Sequence, residues 1–151
     1  MDTFTRWIEA IPLKANPGIT AKQIANALET HIFSRHAIPL YVHSDNGTQF
    51  TSQLFQEACK VLGVRSTQAP AYNPKSNPVE RAHRDMKALM GTLTRGGYDD
   101  WEDALPAVLL AMRTSRNRHT GFTPYFLMYG REAQLPIDLI YGHPEEGSSS
   151  P

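Results

Sequence analysis

The segment Leu40-Tyr41-Val42-His43-Ser44-Asp45-Asn46-Gly47-Thr48-Gln49-Phe50-Thr51-Ser52 reads as a short strand, a turn and the approach to a helix. Leu40 to His43 is apolar enough for a strand. Ser44-Asp45-Asn46-Gly47 then turns the chain, because Asp and Asn side chains bond backbone two residues on and Gly tolerates most φ values. Ser52 to Leu62 reads as a helix, with Leu54, Phe55, Ala58 and Leu62 on one face and Gly63 as its stop. Val64 to Ala69 reads as the next strand. A strand, a helix and a strand in succession indicate an α/β domain.

Upstream, Ile8 to Leu13 reads as a strand, ended by Pro12 and the Asn16-Pro17-Gly18 turn. Thr20 opens a helix, with Gln23 three residues later in the capping-box position and Ile24, Ala27, Leu28 and Ile32 at helical spacing. Downstream, the prolines and asparagines of Pro70 to Pro78 predict a loop. A long helix follows over Pro78 to Leu93, with Val79, Ala82, Met86, Leu89 and Leu93 facing the core. Trp101 to Arg116 reads as another, burying Trp101, Leu105, Val108, Leu109 and Met112, with Pro106 near its start where proline does least harm. Phe122 to Gly130 predicts a short helix. Residues 1–141 are expected to form one domain and 142–151 a polar, disordered tail. The expected architecture is a mixed sheet of three to four strands flanked by helices on both faces.

Length and composition bound the function. With 151 residues, 40% of them hydrophobic and 20% charged, the chain can build one real core. It has no apolar run long enough for a membrane span, so no membrane partner is expected. The single cysteine, Cys59, forms no internal disulfide, and a reducing, intracellular setting fits. Formal net charge is zero, which excludes a polyelectrolyte binder, but the distribution is uneven. Lys75, Arg81, Arg84, Lys87 and Arg95 outnumber Glu80 and Asp85 between Tyr72 and Gly96. Arg113, Arg116 and Arg118 stand where no acid occurs between Asp103 and Glu132. Such patches can hold a phosphate backbone, or can simply be solvated faces.

Asp45 lies just past a strand end, where a carboxylate is held firmly yet reaches solvent. Glu80 lies in the first turn of the long helix. A hard divalent cation takes one or two such carboxylates, and two cations suit phosphodiester chemistry. Structural roles account for the same residues: Asp45 as a turn former, and Glu80 at N3 behind Asn77 and Pro78 as a capping residue. His43 has no second imidazole spaced to join it. Glu80, His83, Arg84 and Lys87 stand at i, i+3, i+4 and i+7, so one helical stripe carries a carboxylate beside cationic and hydrogen-bonding groups.

Four blocks of the sequence resemble the integrases of retroviruses and gypsy-type (Ty3-like) retrotransposons. His43 to Ser52 resembles their second-aspartate motif, and Ala71-Tyr-Asn-Pro-Lys-Ser-Asn-Pro-Val-Glu-Arg81 the loop and helix around their glutamate. Asp2-Thr-Phe-Thr-Arg-Trp-Ile-Glu-Ala10 resembles their second and third strands. Thr120-Gly-Phe-Thr-Pro-Tyr-Phe-Leu-Met-Tyr-Gly-Arg131 resembles the segment closing the gypsy-type core. The resemblance implies an RNase H-like fold, and DNA 3′-processing and strand transfer with Mg2+ or Mn2+. It makes Asp45 and Glu80 metal-binding catalytic carboxylates. It makes Arg84 and Lys87 contacts to DNA, both element ends and target, and Tyr72 the aromatic of the active-site loop; His83 on the same stripe and Lys75 on the same loop are expected to join them. It further implies a nuclear protein and a homo-oligomer.

Two departures accompany the resemblance. The family's first aspartate precedes the block beginning at Asp2, so the first strand and one metal ligand are expected to be missing, and this chain alone is expected to be inactive. Residues 46–79 separate Asp45 from Glu80, one fewer than the family usually has; the Asn77-Pro78-Val79 junction can absorb the difference. Two other readings remain open. One is a domesticated, non-catalytic module that binds nucleic acid or protein. The other is an RNase H-like nuclease outside the integrase group.

Overall fold

The computed structural model describes residues 1–15, 18–68, 78–97 and 100–141. Its elements in chain order are α1 (Ala21–Ala27), a π-helical segment (Leu28–Phe33), α2 (Ser34–His36), β1 (Tyr41–Ser44), α3 (Thr48–Thr51), α4 (Gln53–Val61), β2 (Arg65–Gln68), α5 (Pro78–Arg95), α6 (Trp101–Thr114), α7 (Pro124–Tyr129) and α8 (Asp138–Tyr141). Two compact units emerge: Glu9–Arg84, and Met1–Ile8 together with the chain from Asp85 onward. No helix among the described residues is long and apolar enough to cross a membrane.

In the first unit, α1 starts where the sequence predicts. Thr20 Oγ accepts from the Gln23 N–H at 3.2 Å and Gln23 Oε1 accepts from the Thr20 N–H at 2.8 Å, a complete capping box. The π segment that follows carries no Pro or Gly and has no sequence signal. The helix ends at Ala37, whose φ of 65° is left-handed despite its Cβ. His36 Nε2 meets Glu9 Oε1 at 3.2 Å beside this end.

α4 starts on Ser52, which accepts from the Phe55 N–H, and ends in a Schellman motif. Gly63 N donates to Lys60 O and Val64 N to Cys59 O, with Gly63 at φ 69°. That turn aims the chain back as β2, which runs parallel to β1 with Val42 opposite Ser66 and His43 opposite Thr67. Ile24, Phe55, Cys59 and Val64 form the core, and Leu13, Val42 and Phe50 pack against it. The phase of α4 differs from the predicted one. Phe55 and Cys59, four residues apart, take the buried stripe, and Leu54 and Leu62 are exposed.

The sheet is smaller than expected. Among the described residues it has two parallel strands, not three to four in mixed directions. Ile8 to Leu13 joins no ladder there. Pro12 offers no N–H, and the Ile8 carbonyl accepts from the Arg113 side chain at 2.7 and 3.1 Å. A strand pattern becomes a strand only when a second backbone meets it.

In the second unit α6 packs on α7. Asp100 caps α6, and Ala104, Leu105, Val108 and Leu109 are buried. Trp101, predicted to join them, is 47% exposed. It occupies the first helical turn, next to the Asp100 cap. Trp7 instead supplies the buried indole, edge-on to Tyr129 with ring centroids 5.5 Å apart. Thr123 caps α7, with Pro124 at N1 and Gly130 as the left-handed stop. The expected loop at 70–77 and the expected tail at 142–151 lie outside the described residues.

Candidate metal centre

Asp45 stands one residue beyond the carboxyl end of β1, in a parallel strand pair. In open α/β sheets ligands gather outside the carboxyl ends of strands. Alternation along β1 explains the placement: Val42 and Ser44 are half-buried, and Tyr41 and His43 exposed. The chain then bends, and the exposed Asp45 carboxylate accepts from the Gly47 N–H through Oδ1 at 3.0 Å. The turn role read from the sequence is therefore realised, and it holds one carboxylate oxygen in place.

The surroundings of Asp45 add detail that sequence reasoning did not reach. A Cβ on Gly47 would stand 3.0 Å from Asp45 Oδ1 and 2.5 Å from Gln49 Nε2, so glycine keeps this approach open. The Asp-Asn-Gly pattern was the available signal. Ser44 Oγ is buried with no hydrogen-bond partner, and no pattern foretells that. His43 Nδ1 sits 3.0 Å from Thr67 Oγ1 across the strands, a structural role that fits its lack of a second imidazole.

Glu80 lies in the first turn of α5 and is exposed, as are His83, Arg84 and Lys87 farther along the same helix. The stripe read from the spacing thus exists as an exposed helical row. Tyr72, Lys75 and the proposed cap Asn77 lie outside the described residues. No group of three His, Cys, Asp or Glu side chains that could hold a metal occurs among the described residues.

Asp2 serves a turn. Its Oδ2 accepts from the Phe4 N–H at 3.1 Å, the Thr5 N–H at 2.6 Å and the Thr5 hydroxyl at 2.7 Å. Its amide donates to Trp7 O at 2.8 Å, and Arg6 closes the turn at φ 63°. Partial burial opposes ionisation, but the bonds from Thr5 and Phe4 outweigh it and hold the carboxyl below its ordinary value.

The family model of the integrase core domain matches residues 1–74. The Gag-Pol polyprotein of feline leukemia virus is 40% identical over 132 residues, covering 86% of this chain and 8% of the polyprotein. The chain thus spans a small part of that relative's length. The crystal structure of the catalytic core domain of BIV integrase is 37% identical, with a TM-score of 0.58 over 72% of this chain and 70% of that one. A chain in the structure of the simian T-cell lymphotropic virus intasome in complex with PP2A regulatory subunit B56 gamma superposes with a TM-score of 0.71 at 28% identity, over 89% of this chain and 48% of that one. An α/β core of the RNase H-like class, an Asp-Asn-Gly turn at a strand's carboxyl end, and these likenesses agree: the chain belongs to the retroviral-type integrase core-domain family.

Proposed function

We propose that this chain is part of a DNA-integrating polynucleotidyl transferase, of the gypsy-type branch, in which Asp45 and Glu80 hold a divalent metal ion. The observation that carries the reading is the exposed Asp45 carboxylate, anchored by the Gly47 N–H at the carboxyl end of β1. Both carboxylates are hard oxygen donors on element ends, the donor type Mg2+ or Mn2+ takes. Bound there, the cation would polarise a DNA phosphodiester and favour ionisation of an attacking hydroxyl. His83, Arg84 and Lys87 would meet the DNA backbone along α5, with Tyr72 and Lys75 on the preceding segment. The gypsy-type branch is supported by the block from Thr120 to Arg131. Work on DNA implies a nuclear location, and the intasome of the simian relative motivates a homo-oligomer.

The test is Mn2+ binding followed by electron paramagnetic resonance on the purified chain. A bound-ion signal should appear and should be lost in Asp45→Asn and in Glu80→Gln. Binding that survives both substitutions would place the metal elsewhere.

A further inference from the structure

Arg116, Arg118 and Arg131 belong to one hydrogen-bonded knot within the second unit. Asn117 N donates to Phe122 O at 2.9 Å, and Gly121 N to Asn117 O at 2.8 Å. The Asn117 side-chain oxygen accepts from the His119 and Thr120 N–H groups. Next to Phe122, the Thr123 hydroxyl donates to Glu132 Oε2 at 2.7 Å. Residue 117 is thereby tied to 122, and 123 to 132, so the loop bearing Arg116 and Arg118 and the residue next to Arg131 are both fastened to the start of α7.

Charge in this knot is one-sided. All three arginines are exposed, and no hydrogen bond or ion pair among the described residues engages them. No acid occurs from Ala104 to Arg131, and Glu132 is already committed to Thr123. Arg113, which the sequence groups with them, is spent on Ile8 O and the Trp7 ring. Charge of one sign gathered on a surface raises the local potential and concentrates ligands of the opposite sign there. A clamped loop loses little entropy in doing so, and the planar guanidinium fork matches phosphate oxygens.

We infer that Arg116, Arg118 and Arg131 form a second phosphate-binding surface for the backbone of duplex DNA, separate from the α5 row. The inference rests on the proposed DNA-joining function, and it adds a contact surface made by the second unit alone. The surface reads no bases; it adds affinity and salt dependence.

The test is fluorescence anisotropy of a mixed-sequence duplex over a range of salt concentrations, on the full chain. Each lost phosphate contact lowers the slope of log K against log salt by about 0.9. Arg116→Ala/Arg118→Ala should therefore lower it by about 1.8, and Arg131→Ala by about 0.9. Arg116→Lys/Arg118→Lys keeps the charge and should keep the slope. If the lysine pair loses slope as the alanine pair does, loop geometry and not charge is responsible, and the inference fails. If the alanine variants keep the wild-type slope while Arg84→Ala/Lys87→Ala lowers it, the DNA reading stands and this surface does not. An acidic protein as the true occupant would give that same result. If the unmodified chain binds no duplex, both readings fall.

Discussion

The Arg113 guanidinium lies over the Trp7 ring, 4.2 Å from its centroid, and donates twice to the Ile8 carbonyl, at 2.7 and 3.1 Å. One side chain of α6 thus fixes both a buried indole and the chain just beyond it, across more than a hundred residues of sequence. Charge-assisted bonds and a desolvated cation–π contact are each worth about 1–3 kcal/mol. Arg113→Ala should therefore destabilise the protein by about 2–4 kcal/mol. Arg113→Lys keeps the cation without the fork and should cost less. Urea denaturation checks both, and an alanine variant as stable as the parent would show that the stack is incidental.

Asp2 makes a pH prediction. Its carboxyl titrates below the ordinary value of 3.8 because Thr5 and Phe4 bond the ionised form. A depressed folded-state pKa contributes stability that is present above the unfolded value and is lost as pH falls through the folded one. Asp2→Asn should thus be less stable than the parent at neutral pH. The gap should close on acidification below about pH 4. Thermal melts from pH 2 to 7 measure it, and a gap that widens in acid would reverse the assignment.

Local chemistry was legible in the sequence and pairing was not. The Thr20–Gln23 box, the Gly63 stop and the Asp45 turn are all short-range devices whose donors and acceptors lie within a few residues. Ile8 to Leu13 has the composition of a strand, but ladder formation depends on a partner the pattern does not contain. The π segment at Leu28–Phe33 and the left-handed Ala37 carry no breaker residue, so tertiary context sets them. At the candidate site, Asp45 was found with its anchor implicit in Asp-Asn-Gly. The buried Ser44 hydroxyl was invisible, because burial depends on packing from distant segments.

The phase of α4 can be tested directly. Phe55 is 1% exposed in the core with Ile24, Cys59 and Val64, whereas Leu54 is 55% exposed. Phe55→Ala should cost about 3–5 kcal/mol through lost burial and an unfilled cavity. Leu54→Ala should stay within about 0.5 kcal/mol. Chemical denaturation of the two variants distinguishes the observed phase from the one read off the heptad-like spacing, which would make both costly.

The last prediction concerns turnover. Among the described residues, Asp45 and Glu80 have no third metal-binding partner grouped with them, and Asp2 is consumed by its own turn. Two carboxylates give a weak site for one divalent ion and a poor one for two, and the clamp on attacking and leaving oxygens needs two. In the proposed site any metal-dependent nicking or disintegration of a DNA substrate by this chain depends on both Asp45 and Glu80. Whatever activity it has should vanish in Glu80→Gln. That substitution removes an exposed first-turn charge worth only about 0.3–1 kcal/mol to the helix, so folding survives and the loss is chemical. Gly47→Ala offers a graded case. Its backbone φ of −56° accepts alanine, but the new methyl would crowd Asp45 Oδ1 and Gln49. Metal affinity should fall while the melting midpoint holds. Disintegration assays and Mn2+ titrations on the same preparations decide the matter. Rapid metal-dependent cleavage that persists in Glu80→Gln would mean that the reacting centre is built from other residues.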